Sequence, residues 1–197
     1  RWRTIVGAGQ LLLLLSLRVS PLLAQSRPSF NSAYDPYFNA FSSMFLGGLL
    51  PDDDWRWFKA ECVQESGPQL KAEARSHAGA VGVCQIMPAT GRDWGLDPEH
   101  RILPKQNIRA GTLTLGRCTR MWWARETRYQ RLQLGQACYN AGGGRILKAQ
   151  VRCGGALLWE DIAPCLPEIT GGNAAETLHY VAVIPRWYAQ ILQEQQQ

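Results

Sequence analysis

From Asp52 onward, apolar residues recur with the three-to-four-residue spacing of helices rather than the alternation of half-buried strands. The pattern predicts helices over Trp55–Ser66, Pro88–Trp94, Pro104–Arg125, Tyr129–Asn140, Gly144–Val151 and Ala174–Gln193. Strand signals are confined to Ala78–Val83, in the glycine-rich turn after His77, where a short hairpin or irregular ribbon fits. The expected fold is mainly α, one helical domain over 52–197 with a short irregular or β turn region. Before it, Gln25 to Pro51 is rich in Ser, Asn and Pro without sustained periodicity, and reads as a linker. Its aromatics, among them Phe30, Phe38, Phe41 and Phe45, argue against full disorder and let it dock on the domain. No internal repeat is visible.

The first predicted helix ends on a carboxylate. Asp52, Asp53 and Asp54 precede it and suit an N-cap and the positive end of a helix dipole. Trp55, Phe58 and Cys62 share one face, and Glu65, one turn beyond Cys62, falls on that face too. A carboxyl on an apolar face is desolvated, which disfavours its charged form and raises its pKa. Such a group keeps its proton near neutral pH and can donate it to a leaving oxygen. The plain alternative is a glutamate at a fraying helix end, turned to solvent.

Composition narrows the setting. A chain of 197 residues, 46% hydrophobic, suffices for one compact domain plus a leader, not two full domains. Arg1 and Arg3, the apolar run Ile5 to Leu17 and the small residue Ala24 before Gln25 read as an export signal over 1–24. That run is short for a membrane span, so no stable span is expected after cleavage; a retained anchor is the alternative. The net charge of +5 suits an anionic envelope polymer or a nucleic acid. No basic run is interleaved with aromatics, so nucleic acid is set aside and an exported, periplasmic or envelope location is preferred.

Six cysteines in an exported chain point to disulfides, first between Cys153 and Cys165, which bracket a short glycine-containing loop. There is no Cys-x-x-Cys pair, and His77, His100 and His179 are isolated, so no metal site is expected. Of the eight tryptophans, Trp55, Trp94 and Trp187 sit in periodic segments and are assigned to the core. Trp122 and Trp123 cannot both face inward on one helix, so one is expected at the surface.

Four motifs follow one another along the chain: Glu65-Ser66; Gly79-Ala80-Val81-Gly82-Val83-Cys84-Gln85-Ile86-Met87-Pro88; Ala137-Cys138-Tyr139-Asn140-Ala141-Gly142; and Glu176-Thr177 with Tyr180. In this order they resemble the lytic transglycosylases with a soluble-transglycosylase (SLT)-type catalytic domain, over about Trp55 to Tyr188. The resemblance implies a lysozyme-like, mainly helical α+β fold with a groove between lobes, acting on peptidoglycan glycan strands. It places Glu65 as acid/base, with Ser66 beside it. Gly82, Gln85 and Met87 would border the cleft, as would Tyr139, Asn140, Glu176 and Tyr180. Cys84 stands where the family commonly has methionine, and Ser76 is the nearest serine before the glycine pair.

Each residue also has a structural reading. Gln85 could satisfy backbone groups under the turn, Met87 could fill core, the tyrosines could pack with a partner for each hydroxyl, and Asn140 could end a helix. Ordinary glycosidases need a second carboxylate. Asp93 and Glu73 are the nearest motif-flanking acids, and Glu176 is better suited to orienting other groups. The resemblance implies that Glu65 works alone: it protonates the leaving oxygen, then deprotonates the sugar's own 6-hydroxyl, leaving a 1,6-anhydro-MurNAc end with no cofactor. The other readings are a lysozyme-type hydrolase and a non-catalytic wall-binding module.

Overall fold

The computed structural model describes residues 29–196, so the expected export signal lies outside the described residues. Among the described residues the fold is built from nine α-helices: α1 (Asp35–Phe45), α2 (Arg56–Ser66), α3 (Pro88–Asp93), α4 (Pro104–Arg120), α5 (Arg128–Ala141), α6 (Gly143–Arg152), α7 (Trp159–Ile162), α8 (Leu166–Thr170) and α9 (Ala174–Gln195). The β content among the described residues is two isolated antiparallel bridges, Arg75 with Val81 and Val81 with Ile86, inside the glycine-rich turn. The mainly helical expectation therefore holds, and the hairpin is an irregular ribbon.

Helix α2 sits at the centre. It packs against α9 on one side and α1 on the other, and residues Trp57 to Val63 are all buried. The expected single apolar face is thus an understatement: burial extends around the helix and takes in Lys59 and Glu61. Lys59 is accommodated by an ion pair to Asp35 at 2.6 Å, which also fastens α1. Ahead of α2, the Asp54 carboxylate accepts the Arg56 N–H at 3.0 Å, the capping role expected of the acidic run.

Residues 29–51, the described part of the stretch read as a linker, fold against the domain and include helix α1, which the pattern did not predict. Pro36 in the first turn of α1 has its ring already set for helix. Phe38 is fully buried and meets Phe58 edge-on at 5.7 Å, contributing about 2–3 kcal/mol of apolar burial. Phe30 packs edge-on against Trp187 of α9 at 6.3 Å. The aromatic spacing Phe38, Phe41, Phe45 is itself a helical stripe.

Two apolar clusters form the interior. The larger joins α1, α2, α4 and α9 through Phe38, Phe58, Ile108, Leu115 and Ile184. The second lies under α5–α8, around Trp122, Leu134, Ile146, Ile162 and Leu166. Trp55, Trp94 and Trp187 pack half-buried against the first. The predicted long helix over Pro104–Arg125 ends at Arg120, and after a turn a reciprocal capping box of Thr127 and Gln130 starts α5. In the reversal between them Trp122 is 2% exposed and Trp123 is 74% exposed, as the adjacent pair required. Three disulfides are present: Cys62–Cys84, Cys118–Cys138 and the expected Cys153–Cys165, with Cα atoms 5.8 Å apart in the last. No helix among the described residues is long and apolar enough to cross a membrane.

Candidate active site

Helix α2 delivers Glu65 in its last turn, and Gly67, with φ of +87°, ends the helix directly afterwards. Three ties then fix the glycine-rich turn, two to that helix end and one to α5. The Cys62–Cys84 disulfide brings the two backbones to a Cα separation of 4.5 Å. The Ser66 hydroxyl donates to the Val83 carbonyl at 2.7 Å. Tyr139, from α5, donates its hydroxyl to the Cys84 carbonyl at 2.8 Å.

Asn107, fully buried on α4, fixes the turn from below. Its Oδ1 accepts the Cys84 N–H at 2.8 Å, and its Nδ2 donates to the Val81 and Arg101 carbonyls at 2.8 and 2.7 Å. Gly82 lies directly over it at φ of +81°, where an added Cβ would sit 2.4 Å from Asn107 Nδ2. Glycine is required there on both counts. Gln85 is held at φ of +46°, with its Nε2 donating to the Gly82 and Ala74 carbonyls at 3.0 and 3.2 Å. The amide thus satisfies the turn while the residue faces the groove.

The groove has a volume of about 650 Å³ and is lined in part by Glu65, Ser76, Gln85, Met87, Tyr139, Asn140 and Glu176. Asn140 donates to Glu176 at 3.1 Å and accepts from the Thr177 hydroxyl at 2.6 Å, which joins the α5 end to the α9 start. A smaller recess of about 150 Å³ continues the groove past Asn140 and Glu176 to Thr170 and Asn173. Ser76 lies on the wall, where its Oγ accepts the Ala80 N–H at 3.0 Å.

Most of the candidate residues therefore converge. Two stand apart from the wall: Ser66 is buried behind the turn, and Tyr180 is buried behind Glu65. Tyr180 donates its hydroxyl to Glu65 Oε1 at 2.6 Å. The two acids flanking the motifs lie elsewhere. Asp93 pairs with Arg117 on the outer surface at 2.9 Å, and Glu73 is exposed and does not line the groove.

The electrostatics single out Glu65. Burial pushes its carboxyl up to about 7 and Glu176 adds to the rise, while the Tyr180 hydrogen bond pulls it back. Burial likewise lifts the Tyr139 and Tyr180 hydroxyls well above the usual phenol range, so both remain protonated donors. One turn before Glu65 lies a second acid, Glu61, 0% exposed and also raised well above the carboxylate range by burial.

The profile of the Transglycosylase SLT domain family matches residues 51–160, more than half of the chain, and that span contains the helix, the turn and the Tyr139-Asn140 junction. The chain belongs to the SLT domain family. Among relatives, the membrane-bound lytic murein transglycosylase F of Alteromonas mediterranea is 29% identical over 175 residues, spanning 81% of this chain and 37% of that protein. Its counterpart in Shewanella loihica is 28% identical over 152 residues, spanning 70% of this chain and 31% of that protein. The chain thus spans about a third of the length of these curated relatives. The 70 kDa soluble lytic transglycosylase SLT70 of Escherichia coli superposes with a TM-score of 0.62 at 24% identity, over 82% of this chain and 24% of that one. The lytic transglycosylase Slt of Pseudomonas aeruginosa gives 0.60 at 24% identity, over 83% and 25%. These superpositions establish the SLT-type fold.

Within this SLT fold, four residues of the site lie outside the motifs singled out from the sequence. Asn107 and Glu61 are polar residues in apolar helices whose burial depends on what packs over them. The one available signal for Glu61 is its spacing of four from Glu65, which stacks two carboxyls on one face. His77 and Arg145 also line the groove, carried there by the turn and by the start of α6.

Proposed function

We propose that this chain is a peptidoglycan lytic transglycosylase that cleaves the MurNAc-β-1,4-GlcNAc bond and leaves a 1,6-anhydro-MurNAc end, with Glu65 as sole acid/base. The observation that carries the reading is Glu65 at the groove wall, hydrogen-bonded by Tyr180 and titrating near 7. At that value the group is divided between acid and base at neutral pH, which suits one residue that must serve as both.

In the first step Glu65 gives its proton to the departing glycosidic oxygen. The cation forming at the sugar's anomeric carbon is taken up by the oxygen of the substrate's own N-acetyl group. The new Glu65 carboxylate keeps the Tyr180 hydroxyl as its donor, which stabilises it between steps. In the second step the sugar's 6-hydroxyl oxygen attacks the anomeric carbon and its proton returns to Glu65. No water is consumed and the enzyme regains its starting state.

Gln85, Met87, Tyr139, Asn140 and Glu176 line the groove and are assigned to the glycan. Ser66 and Tyr180 act from behind it, on the turn and on Glu65 respectively. The cationic Arg145 and the chain's net charge of +5 suit an anionic wall polymer, consistent with an exported, envelope-located protein. Glu176 is the other carboxylate of the groove, engaged by Asn140, and keeps a lysozyme-type hydrolase as the second reading. Glu65→Gln on purified peptidoglycan tests the assignment. The expected result is a loss of at least about 10²-fold in glycan release with folding intact. Near-full activity in that variant would remove Glu65 from the mechanism.

A further inference from the structure

Glu61 is an expensive residue for the fold. It lies on the central helix with no solvent exposure, and its Oε2 has no hydrogen-bond partner among the described residues. A polar atom buried in this way lowers stability, and an apolar side chain of the same size would do the structural work better. Such a residue has a functional rationale when it touches the chemistry, and this one does so at one remove.

Its Oε1 lies 3.4 Å from the Tyr180 hydroxyl oxygen, whose single proton goes to the far shorter contact, Glu65 Oε1 at 2.6 Å. Tyr180 therefore has only lone pairs to offer Glu61, and the contact forms a hydrogen bond only if Glu61 holds a proton. We propose that Glu61 is a positioning residue, a permanently neutral carboxylic acid that donates to Tyr180 and thereby strengthens the Tyr180 hydrogen bond to the Glu65 carboxylate. The inference rests on the reading of Glu65 as the acid/base.

The surroundings agree with a neutral Glu61. Burial raises its carboxyl and the Glu65 charge raises it further; a hydrogen bond from Tyr180 would lower it, and no cation opposes the rise. The neighbouring charged and titratable groups are Lys59, committed to Asp35, on α2 and α1; Tyr180 and Glu176 on α9; and Tyr139 on α5. His77 and Arg145 line the same groove as Glu65. Glu65 borders the open groove while Glu61 is wholly enclosed, so the negative charge of the pair resides on Glu65 and Glu61 keeps its proton. A chain of hydrogen bonds polarises along its length, so Glu61 helps hold Glu65 low enough to cycle near neutrality, against the upward push of burial.

The sign of one measurement separates this role from plain repulsion between two carboxylates. The Glu65 carboxyl pKa is read by NMR in the full chain carrying carbon-13-labelled glutamate, for wild type, Glu61→Leu, Glu61→Gln and Tyr180→Phe. Removing the donor in Glu61→Leu should raise the Glu65 pKa by on the order of half a pH unit. Glu61→Gln keeps a neutral N–H donor and should stay close to wild type. In a Tyr180→Phe background, where the relay is already cut, Glu61→Leu should add no shift. A fall in the Glu65 pKa in Glu61→Leu would mean that Glu61 is charged, and no change would mean that it only packs; either overturns the proposal. Should Glu61→Leu fail to fold, the unbranched Glu61→Met gives the same reading. The pKa is observed without turnover, so failure here is distinct from failure of the acid/base reading, which Glu65→Gln tests by activity.

Discussion

Replacing Glu65 with Gln should make the protein more stable at alkaline pH, even as it removes activity. Burial raises the Glu65 carboxyl from 4.5 to about 7, a difference corresponding to roughly 3 kcal/mol. The folded state then binds this proton more tightly than the unfolded chain does. Its contribution is fully present below about pH 4.5 and is lost as pH rises through about 7. Gln keeps the side-chain shape and an oxygen to accept from Tyr180, but does not titrate. Chemical denaturation of both proteins from about pH 4.5 to about pH 8 should show the variant gaining on wild type by up to roughly 3 kcal/mol. Because Glu65 borders an open groove, solvent screening places the expected gain between about 1.5 and 3 kcal/mol. In melting temperature the gain is about 3–12 °C for a domain of this size. The subtraction cancels the titration of surface groups common to both proteins. A stability difference that stays flat with pH would refute the claim that Glu65 is desolvated. So would wild type gaining on the variant as pH rises through about 4, the mark of an ordinary paired carboxylate.

Gly82→Ala should lower stability by about 2 kcal/mol or more and depress activity, since its Cβ would meet Asn107 at 2.4 Å; denaturation midpoints and glycan release check both effects. Removing the Cys62–Cys84 disulfide by a double change to Ala should cost roughly 3 kcal/mol, from a sequence separation of 22 residues, measurable as a fall in the denaturation free energy. Asn107→Leu should be costlier than its volume suggests, because the buried Cys84 N–H and Val81 carbonyl lose their partner. A loss of about 3 kcal/mol or more in equilibrium unfolding is expected.

The burial of Glu65 was legible from local signals, an acidic cap, a helix without breakers and a carboxylate one turn past Cys62, whereas its candidacy as acid/base rested on the resemblance carried by the ordered motifs. The helical fold was legible for the same reason, as was the Cys153–Cys165 pair across a short loop. What long-range packing decides was not. Helix α1 was obscured by Asn39 and Ser43 on its solvent side and by a buried Ser42, and its Phe38 stripe has meaning only once Phe58 is there to receive it. Asn107 follows Lys105 and Gln106 in a polar first turn of α4, and it becomes a keystone only because a turn some twenty residues earlier docks over it. Glu61 looks like an ordinary helical glutamate until α9 covers that side of α2 with Tyr180. Ser66, read from its place beside Glu65 as a substrate contact, is turned by folding the opposite way, into the support of the turn.

The central proposal concerns what leaves the enzyme. Purified peptidoglycan digested by the full chain, with the soluble fragments analysed by mass spectrometry, tests it most directly. Intramolecular capture by the 6-hydroxyl predicts muropeptides ending in 1,6-anhydro-MurNAc, each lighter by one water than the hydrolysis product and lacking a reducing end. Products that carry the added water, with reducing MurNAc ends, would contradict it and transfer the chemistry to a hydrolase using Glu65 and a second carboxylate.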